Sequence, residues 1–369
     1  MSDNQLIYKI AVGMIPGIGC ITAKKLIAYT GSIEGIFREK KSKLIKIPGI
    51  GEVLANEIVN SNVLHQAETE YNFIKQYDIT PYFYLDTNYP ERLKQCQDSP
   101  VMLYVKGKVD LNVPKVISIV GTRKATLYGK SMCEKLVEQL AELKHDPLII
   151  SGLAFGIDIA AHKAALKNKL LTVAVLGHGL KTIYPAVHSK YAKEIVQQGA
   201  LVTEFTSDIK ADRPFFVRRN RIIAGLSDAT VVIESGEKGG ALITADIANS
   251  YNRDVFAVPG RTEDNLSKGC NKLIKTNKAH LLESIEDLEY ILGWESKTTK
   301  SKVIQKELFV NLSEEEKFIM EIIRSNNELS IDSICHEANL PVSKVSPMLL
   351  NLEFAGLLKS LPGKVYKLN

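Results

Sequence analysis

The feature that most constrains this chain is an alternation that persists from about Tyr77 to Gly293. Short β-branched and apolar runs stand at Val116–Val120, Leu148–Ser151, Leu171–Leu176, Ala200–Glu204, Ala229–Glu234 and Asp254–Val258. Between them lie amphipathic stretches near Tyr128–Leu143, Asp158–Lys167, Ser189–Gln198, Asn220–Leu226 and Ala241–Tyr251. Near-continuous apolar strands separated by helices describe a parallel sheet covered on both faces. The expected class is α/β, with an extended Rossmann-like parallel sheet as its core. Ligands of such sheets bind beyond the carboxyl ends of the strands, so the turns there are the places to look.

Those turns are rich in small residues. The first strand ends in Gly121-Thr122-Arg123, and the second runs through Ser151-Gly152 to Gly156-Ile157-Asp158. The third ends in Gly177-His178-Gly179, and the fifth leads into Ser235-Gly236-Glu237-Lys238-Gly239-Gly240, with Thr244 one turn further on. A small-residue turn into a helix aims backbone N–H groups at an anion, and four on one sheet edge point to phosphate. None is a dinucleotide fingerprint, and a Walker A sequence is absent. No cofactor and no metal site is expected.

The sharpest signal is Phe215-Phe216-Val217-Arg218-Arg219-Asn220-Arg221, placed by its position between the fourth strand and the next helix. Guanidinium groups fork onto phosphate, and an aromatic ring stacks on an unpaired base without choosing its identity. So much positive charge exceeds what one nucleotide can occupy. Two things temper the cluster: some arginines have Asp228, Glu204 or Glu234 as candidate partners, and at least one of the two phenylalanines is expected to be buried, with Phe216 a candidate for the core. Lys268 is a further candidate phosphate contact.

Two flanking domains are expected, giving divisions at 1–76, 77–293, a linker at 294–310, and 311–369. In the first, Ile15-Pro16-Gly17-Ile18-Gly19 is echoed by Ile47-Pro48-Gly49-Ile50-Gly51, each followed by a helical run. That is the pattern of a helix-hairpin-helix, or SAM-like, domain. Gly17, Gly19, Gly49 and Gly51, with Lys24 and Lys25, are possible secondary DNA contacts; the alternative is a small helical domain whose glycines only make tight turns. Glu295 to Lys306 has the Lys/Ser/Thr-rich composition of a tether. Beyond it, three short helices and a strand pair around Gly363 read as a winged helix, whose third helix carries only Lys344 as a cation and contains Pro347.

Bulk properties exclude other classes. No apolar run is long enough to span a membrane, and Met1 to Lys9 lacks the layout of a signal peptide, so the cytoplasm is expected. Cys20, Cys96, Cys133, Cys270 and Cys335 are scattered and odd in number, which fits reduced thiols better than disulfides or zinc. The net charge of +5 leans weakly toward a polyanionic partner.

Between about Pro114 and Leu288 the chain resembles the DprA/Smf family of DNA-processing proteins. The resemblance is carried by Ile119-Val120-Gly121-Thr122-Arg123, by Ser151-Gly152-Leu153-Ala154-Phe155-Gly156-Ile157-Asp158, and by Ala174-Val175-Leu176-Gly177-His178-Gly179-Leu180. It continues through Ile183-Tyr184-Pro185, Arg219-Asn220-Arg221-Ile222-Ile223-Ala224-Gly225-Leu226-Ser227, Gly240-Ala241-Leu242-Ile243-Thr244-Ala245, Val258-Pro259-Gly260 and Ser267-Lys268-Gly269-Cys270-Asn271-Lys272-Leu273-Ile274. It implies an extended Rossmann fold, a homodimer, and single-stranded DNA binding that protects incoming DNA and loads the RecA recombinase during natural transformation. It also implies that Arg123 and Arg218 or Arg219 hold phosphates, with the glycine-turn amides completing the pocket. Phe155 departs from the pattern, standing where many relatives carry a basic or polar residue.

Two rivals remain. A phosphoribohydrolase-like nucleotide enzyme would need a base or nucleophile beside its phosphate pocket. Asp158, His162, His178 and Glu204 are available, but nothing in the sequence ties them together, so no enzyme is expected. A regulator that binds duplex DNA through hairpins and winged helix would prefer duplex over single strand.

Overall fold

A computed structural model of the chain describes residues 3–60, 62–294, 312–326, 328–361 and 364–368. The chain divides into two compact units, residues 1–296 and 297–369. The tether expected at 294–310 lies, apart from Trp294, outside the described residues, as does Gly363.

The first unit is organised by nine strands: β1 (Ile79–Phe83), β2 (Met102–Gly107), β3 (Val116–Val120), β4 (Leu148–Ser151), β5 (Thr172–Val175), β6 (Ala200–Thr203), β7 (Ala229–Val232), β8 (Asp254–Ala257) and β9 (His280–Leu281). They form one sheet in the order β1-β2-β6-β5-β4-β3-β7-β8-β9. From β6 to β9 every neighbouring pair is parallel. The α/β, Rossmann-like class is what the alternation implies, and β3 to β8 are the six strands expected from it. The antiparallel edge of β1 and β2 was not legible. Pro81 argues against a strand in sequence, yet proline is tolerated at an edge, and β1 is the edge.

Helices cover both faces. On one, Cys133, Val137 and Leu140 of helix Leu127–Glu142 and Ile157, Ala161 and Ala165 of helix Ile157–Lys167 pack on Ile117, Ile119 and Ile149. On the other, Ile222 and Ile223 of helix Arg213–Leu226 and Ala245 and Ala248 of helix Gly240–Ser250 pack on Val116, Val120 and Val232. Because β4 lies on one side of β3 and β7 on the other, the loops after β3 and β7 part there. That leaves the crevice of a topological switch point.

Helices Asp3–Met14, Cys20–Thr30, Ile33–Arg38, Lys41–Leu44, Glu52–Asn60 and Val63–Gln76 precede the sheet. Their core continues into it, joining Ile10, Leu26 and Ile74 to Met102, Tyr104 and Leu176. A 2.5 Å ion pair between Lys9 and Asp86 pins the first helix beside β1. Gly17 (φ +73°) and Gly49 (φ +91°) make the two expected turns. None of the five cysteines is in a disulfide, and no helix among the described residues is long and apolar enough to cross a membrane.

The second unit has helices Glu314–Asn326, Ile331–Ala338 and Val342–Phe354 with strands β10 (Glu328–Ser330), β11 (Leu358–Leu361) and β12 (Val365–Leu368), ordered β10-β12-β11. Ile319, Ile323, Ile334, Leu349 and Leu352 form its own core. This is the expected winged-helix layout.

Candidate nucleic-acid interface

The Gly121-Thr122-Arg123 turn is clamped at the switch point. Thr122 N–H donates to Glu234 O just beyond β7 (2.7 Å), and Thr122 O accepts from Ile157 N–H at the start of helix Ile157–Lys167 (3.2 Å). A Cβ on Gly121 would strike the Ile157 side chain, so only glycine lets β3, β7 and that helix meet here. Below the turn, buried Glu234 accepts from Thr126 N–H (2.8 Å) and Thr126 Oγ1 (2.7 Å). Arg123 itself is exposed.

The loop after β4 is equally constrained. Ser151 Oγ donates to Ile119 O (2.6 Å), so this serine is turned inward to tie β4 to β3. Leu153 (φ +65°) and Gly156 (φ +79°) are left-handed, and a Cβ on Gly156 would collide with the Thr122–Arg123 backbone. The two turns therefore touch.

The basic cluster differs from its sequence-based placement. Residues 213–226 are one helix, capped by Asp212 with Pro214 in its first turn, so the arginines lie on helix rather than between elements. Helical periodicity then separates them. Arg218 faces solvent and Arg221 is largely buried, and both donate to Glu204 Oε2, at 2.7 and 2.5 Å. Arg219 is 3% exposed; its Nη1 donates to Val175 O (2.9 Å) and its charge faces Asp158. Burial holds the Arg219 pKa down to about 10, with Asp158 opposing, and the same burial raises the Asp158 carboxyl above its ordinary range. Gly152 is what lets this pair lie under the loop, since a Cβ there would land on both groups. Asn220 Nδ2 donates to Gly240 O (3.3 Å), tying the basic helix to the next phosphate-type turn. Of the named carboxylates, Asp228 pairs with Arg92 instead (2.6 Å).

Neither phenylalanine is in the core; both are half-buried. Phe215 packs on Phe205 (4.8 Å between centroids). Phe216 lies over Gly177, whose absent Cβ makes the room. Its ring is 5.6 Å from that of Tyr184 and 5.4 Å from the Arg123 guanidinium. Tyr184, Phe216 and Arg123 thus form a row of two rings and a cation beside the glycine turns, with Tyr184 half exposed. Tyr184 comes from the loop after β5, where its N–H donates to His178 Nε2 (3.2 Å); in the sequence it belongs to the Ile183-Tyr184-Pro185 motif without standing out as a site residue. Gly239 and Gly240 open the helix after β7 and are exposed, while Thr244 is buried and donates to Gly240 O (3.1 Å). Lys268 is exposed on the helix after β8, whose Gly269 N–H donates to Ser235 O (2.9 Å).

The groups that could serve a hydrolytic reaction are engaged otherwise. His162 is fully buried, its Nδ1 2.8 Å from Thr172 Oγ1, and burial presses its pKa down to about 3. His178 accepts from Tyr184 N–H at Nε2 (3.2 Å) with Nδ1 on Gly179 O (2.8 Å); burial lowers its pKa too. The hairpin glycines Gly17, Gly19, Gly49 and Gly51 lie in the preceding helical segment, where Cys20 Sγ, next to Gly19, accepts from Arg221 Nη2 of the basic helix (3.7 Å). Lys24 is used inside, donating to Ser99 Oγ (2.6 Å) and Gln97 O (3.1 Å), while Lys25 is exposed.

Comparison with known proteins gives a consistent result. The family model of DNA recombination-mediator protein A matches residues 80–292, that of the DprA winged helix domain residues 310–364, and a SAM-like helix-hairpin-helix tandem residues 11–61. Protein Smf of Escherichia coli is 34% identical over 294 residues, 76% of this chain and 75% of that protein. The DNA processing protein DprA of Streptococcus pneumoniae is 40% identical over 205 residues, 55% of this chain and 71% of that one. The X-ray structure of the S. pneumoniae DprA aligns with a TM-score of 0.67 at 31% identity, covering 77% of this chain and 97% of that one. A structure of DNA processing protein A from Helicobacter pylori, described for its unique single-stranded DNA binding mode, aligns with a TM-score of 0.53 at 29% identity, covering 59% and 97%.

Proposed function

Because the chain belongs to the DNA recombination-mediator protein A family, the DprA/Smf family that its motifs resemble, we propose that it binds single-stranded DNA at the switch-point edge of its sheet and mediates recombination without catalysis. The observation that carries this reading is the row Tyr184–Phe216–Arg123 set beside the glycine turns. Rings stack on bases only when the bases are unpaired, and a guanidinium and backbone amides bind phosphate whatever the sequence. The single-strand binding described for the H. pylori relative supports the same reading.

In this proposal Arg123 holds a phosphate, the backbone around Gly121, Gly156, Gly239 and Gly240 lines the pocket, and Phe216 receives a base; Thr122 N–H, already bonded to Glu234 O, and the buried Gly152 and Gly177 shape the turns instead. Arg218 and Lys268 add charge at the rim. Arg219, Asn220 and Arg221 support the helix that presents Phe216. The wider role follows the family: a homodimer in the cytoplasm that shields incoming single strands during natural transformation and helps load RecA. Asp158, His162, His178 and Glu204 are each committed to internal partners, which supports a binding role over a hydrolytic one.

The test is fluorescence anisotropy with labelled oligo(dT) and a hairpin duplex. The proposal expects tighter binding of the single strand and about a tenfold loss for Arg123→Ala, as for a charge-assisted contact. A preference for duplex would instead favour the regulator reading. Turnover of DNA or nucleotides, abolished by Asp158→Asn, would move the protein to the enzyme class.

A further inference from the structure

Arg123 faces two ways. On one side is the aromatic row. On the other it lines, with Lys124, Lys130, Lys163 and Phe155, a cleft of about 430 Å³ between helix Leu127–Glu142 and helix Ile157–Lys167. The lining side chains set four cations against one carboxylate, Glu134. None of the four cations makes an ion pair among the described residues, although Lys163 lies over the Tyr191 ring at 4.6 Å. Four like charges gathered around a concave surface with a single counter-charge repel one another, and the arrangement is relieved by an anion. The floor is Gly156, Ile159 and Ala160, small or apolar. At the mouth stands Phe155, 48% exposed and held by an edge contact with the His188 ring at 4.9 Å.

We propose that this cleft is a second nucleotide subsite. A single strand leaving the Tyr184–Phe216 row turns around Arg123, places its next phosphates among Lys124, Lys130 and Lys163, and stacks a base on Phe155. This inference rests on the single-strand reading of the first site and extends it. The cleft's volume suits a nucleotide unit rather than a double helix. Phe155 supplies the stacking surface, and the charge comes from Arg123 and Lys124 of the turn after β3 and from Lys130 and Lys163 of the two helices.

The experiment uses the full-length protein and oligo(dT) of two lengths, about 4 and about 16 nucleotides, the range of single-strand site sizes. The double variant Lys130→Ala, Lys163→Ala should bind the short strand as wild type does. It should bind the long strand about tenfold more weakly, with the salt slope reduced by about 1.4, two phosphate contacts at about 0.7 each. Phe155→Ala should weaken the long strand about tenfold while leaving the slope unchanged, the mark of stacking. Lys190→Ala, Lys193→Ala removes two charges outside the cleft and should change neither quantity. Thermal melts confirm that each variant is folded. Wild-type behaviour of the Lys130/Lys163 variant on the long strand overturns the subsite. So does an equal loss on both lengths, or an equal loss in the Lys190/Lys193 control, which would indicate a general field. If wild type binds neither strand, the underlying single-strand reading fails, and the subsite with it.

Discussion

Arg123 and Arg219 are the same side chain in opposite surroundings, and that difference sets what each should do when removed. Arg123 is exposed beside an aromatic ring, so Arg123→Ala should leave stability nearly unchanged and weaken every single-stranded sequence alike. Arg219 is buried against Asp158, so Arg219→Ala leaves a carboxyl group inside without its counter-charge. A loss of about 3 kcal/mol in urea unfolding is expected, with Arg219→Leu, Asp158→Leu recovering much of it. Unchanged stability of Arg219→Ala would show that the pair is not a structural element. His162 gives a pH signature. Its folded pKa, about 3, lies below its ordinary 6.5, so its contribution is fully present above 6.5 and is lost as pH falls toward 3. Between about pH 7.5 and about pH 5.5 this one residue should cost about 1.4 kcal/mol. The urea midpoint of wild type should drop across that window by more than that of His162→Asn; parallel curves would contradict the assignment. Sequence places Arg123 in its turn and His162 on its helix, but Arg219 between elements where the structure has a helix. It could not say which way a helical arginine points, because burial is decided by the partner below it, here Gly152 and Asp158 from a different element.

Among the elements, the six central strands were legible because each is a short apolar run between helical stretches, four of them with a glycine or serine directly after, a pattern with few other solutions. The edge strands were not, since β1 carries Pro81 and β9 has only two residues. The turns after β3 and β4 were found as separate glycine-rich segments, but their interlock was invisible: Thr122 bonds to Ile157 and Glu234, and Gly156 lies against Thr122. The aromatic row was half visible. Phe216 announced itself beside arginines, whereas Tyr184 comes from a turn far away in sequence and joins it only in the fold. The interlock carries its own prediction. Gly156 has φ +79° and no room for a Cβ, so Gly156→Ala should displace the Gly121-Thr122-Arg123 turn. A destabilisation of about 1–3 kcal/mol should accompany a loss of single-strand affinity at least as large as that of Arg123→Ala. Wild-type affinity in the Gly156→Ala variant would mean that the two turns act independently.

For the whole molecule, the unit of residues 1–296 has a core continuous from the first helices into the sheet, and the winged helix has its own. A chain truncated after Ser296 should therefore fold and keep most of its affinity for short single strands, while long strands report any contact that the winged helix adds. Loss of binding at every length would place the principal site in the winged helix. Arg123, seated between the aromatic row and the glycine turns, is proposed to hold single-stranded DNA by its phosphate. The most direct measurement is the dependence of oligo(dT) affinity on salt, in wild type and in Arg123→Ala, followed by anisotropy over a range of concentrations. The slope of log affinity against log salt is expected to fall by about 0.7 in the variant, with parallel results on mixed-sequence strands. An identical slope and affinity in the two proteins, with both folded, would contradict it.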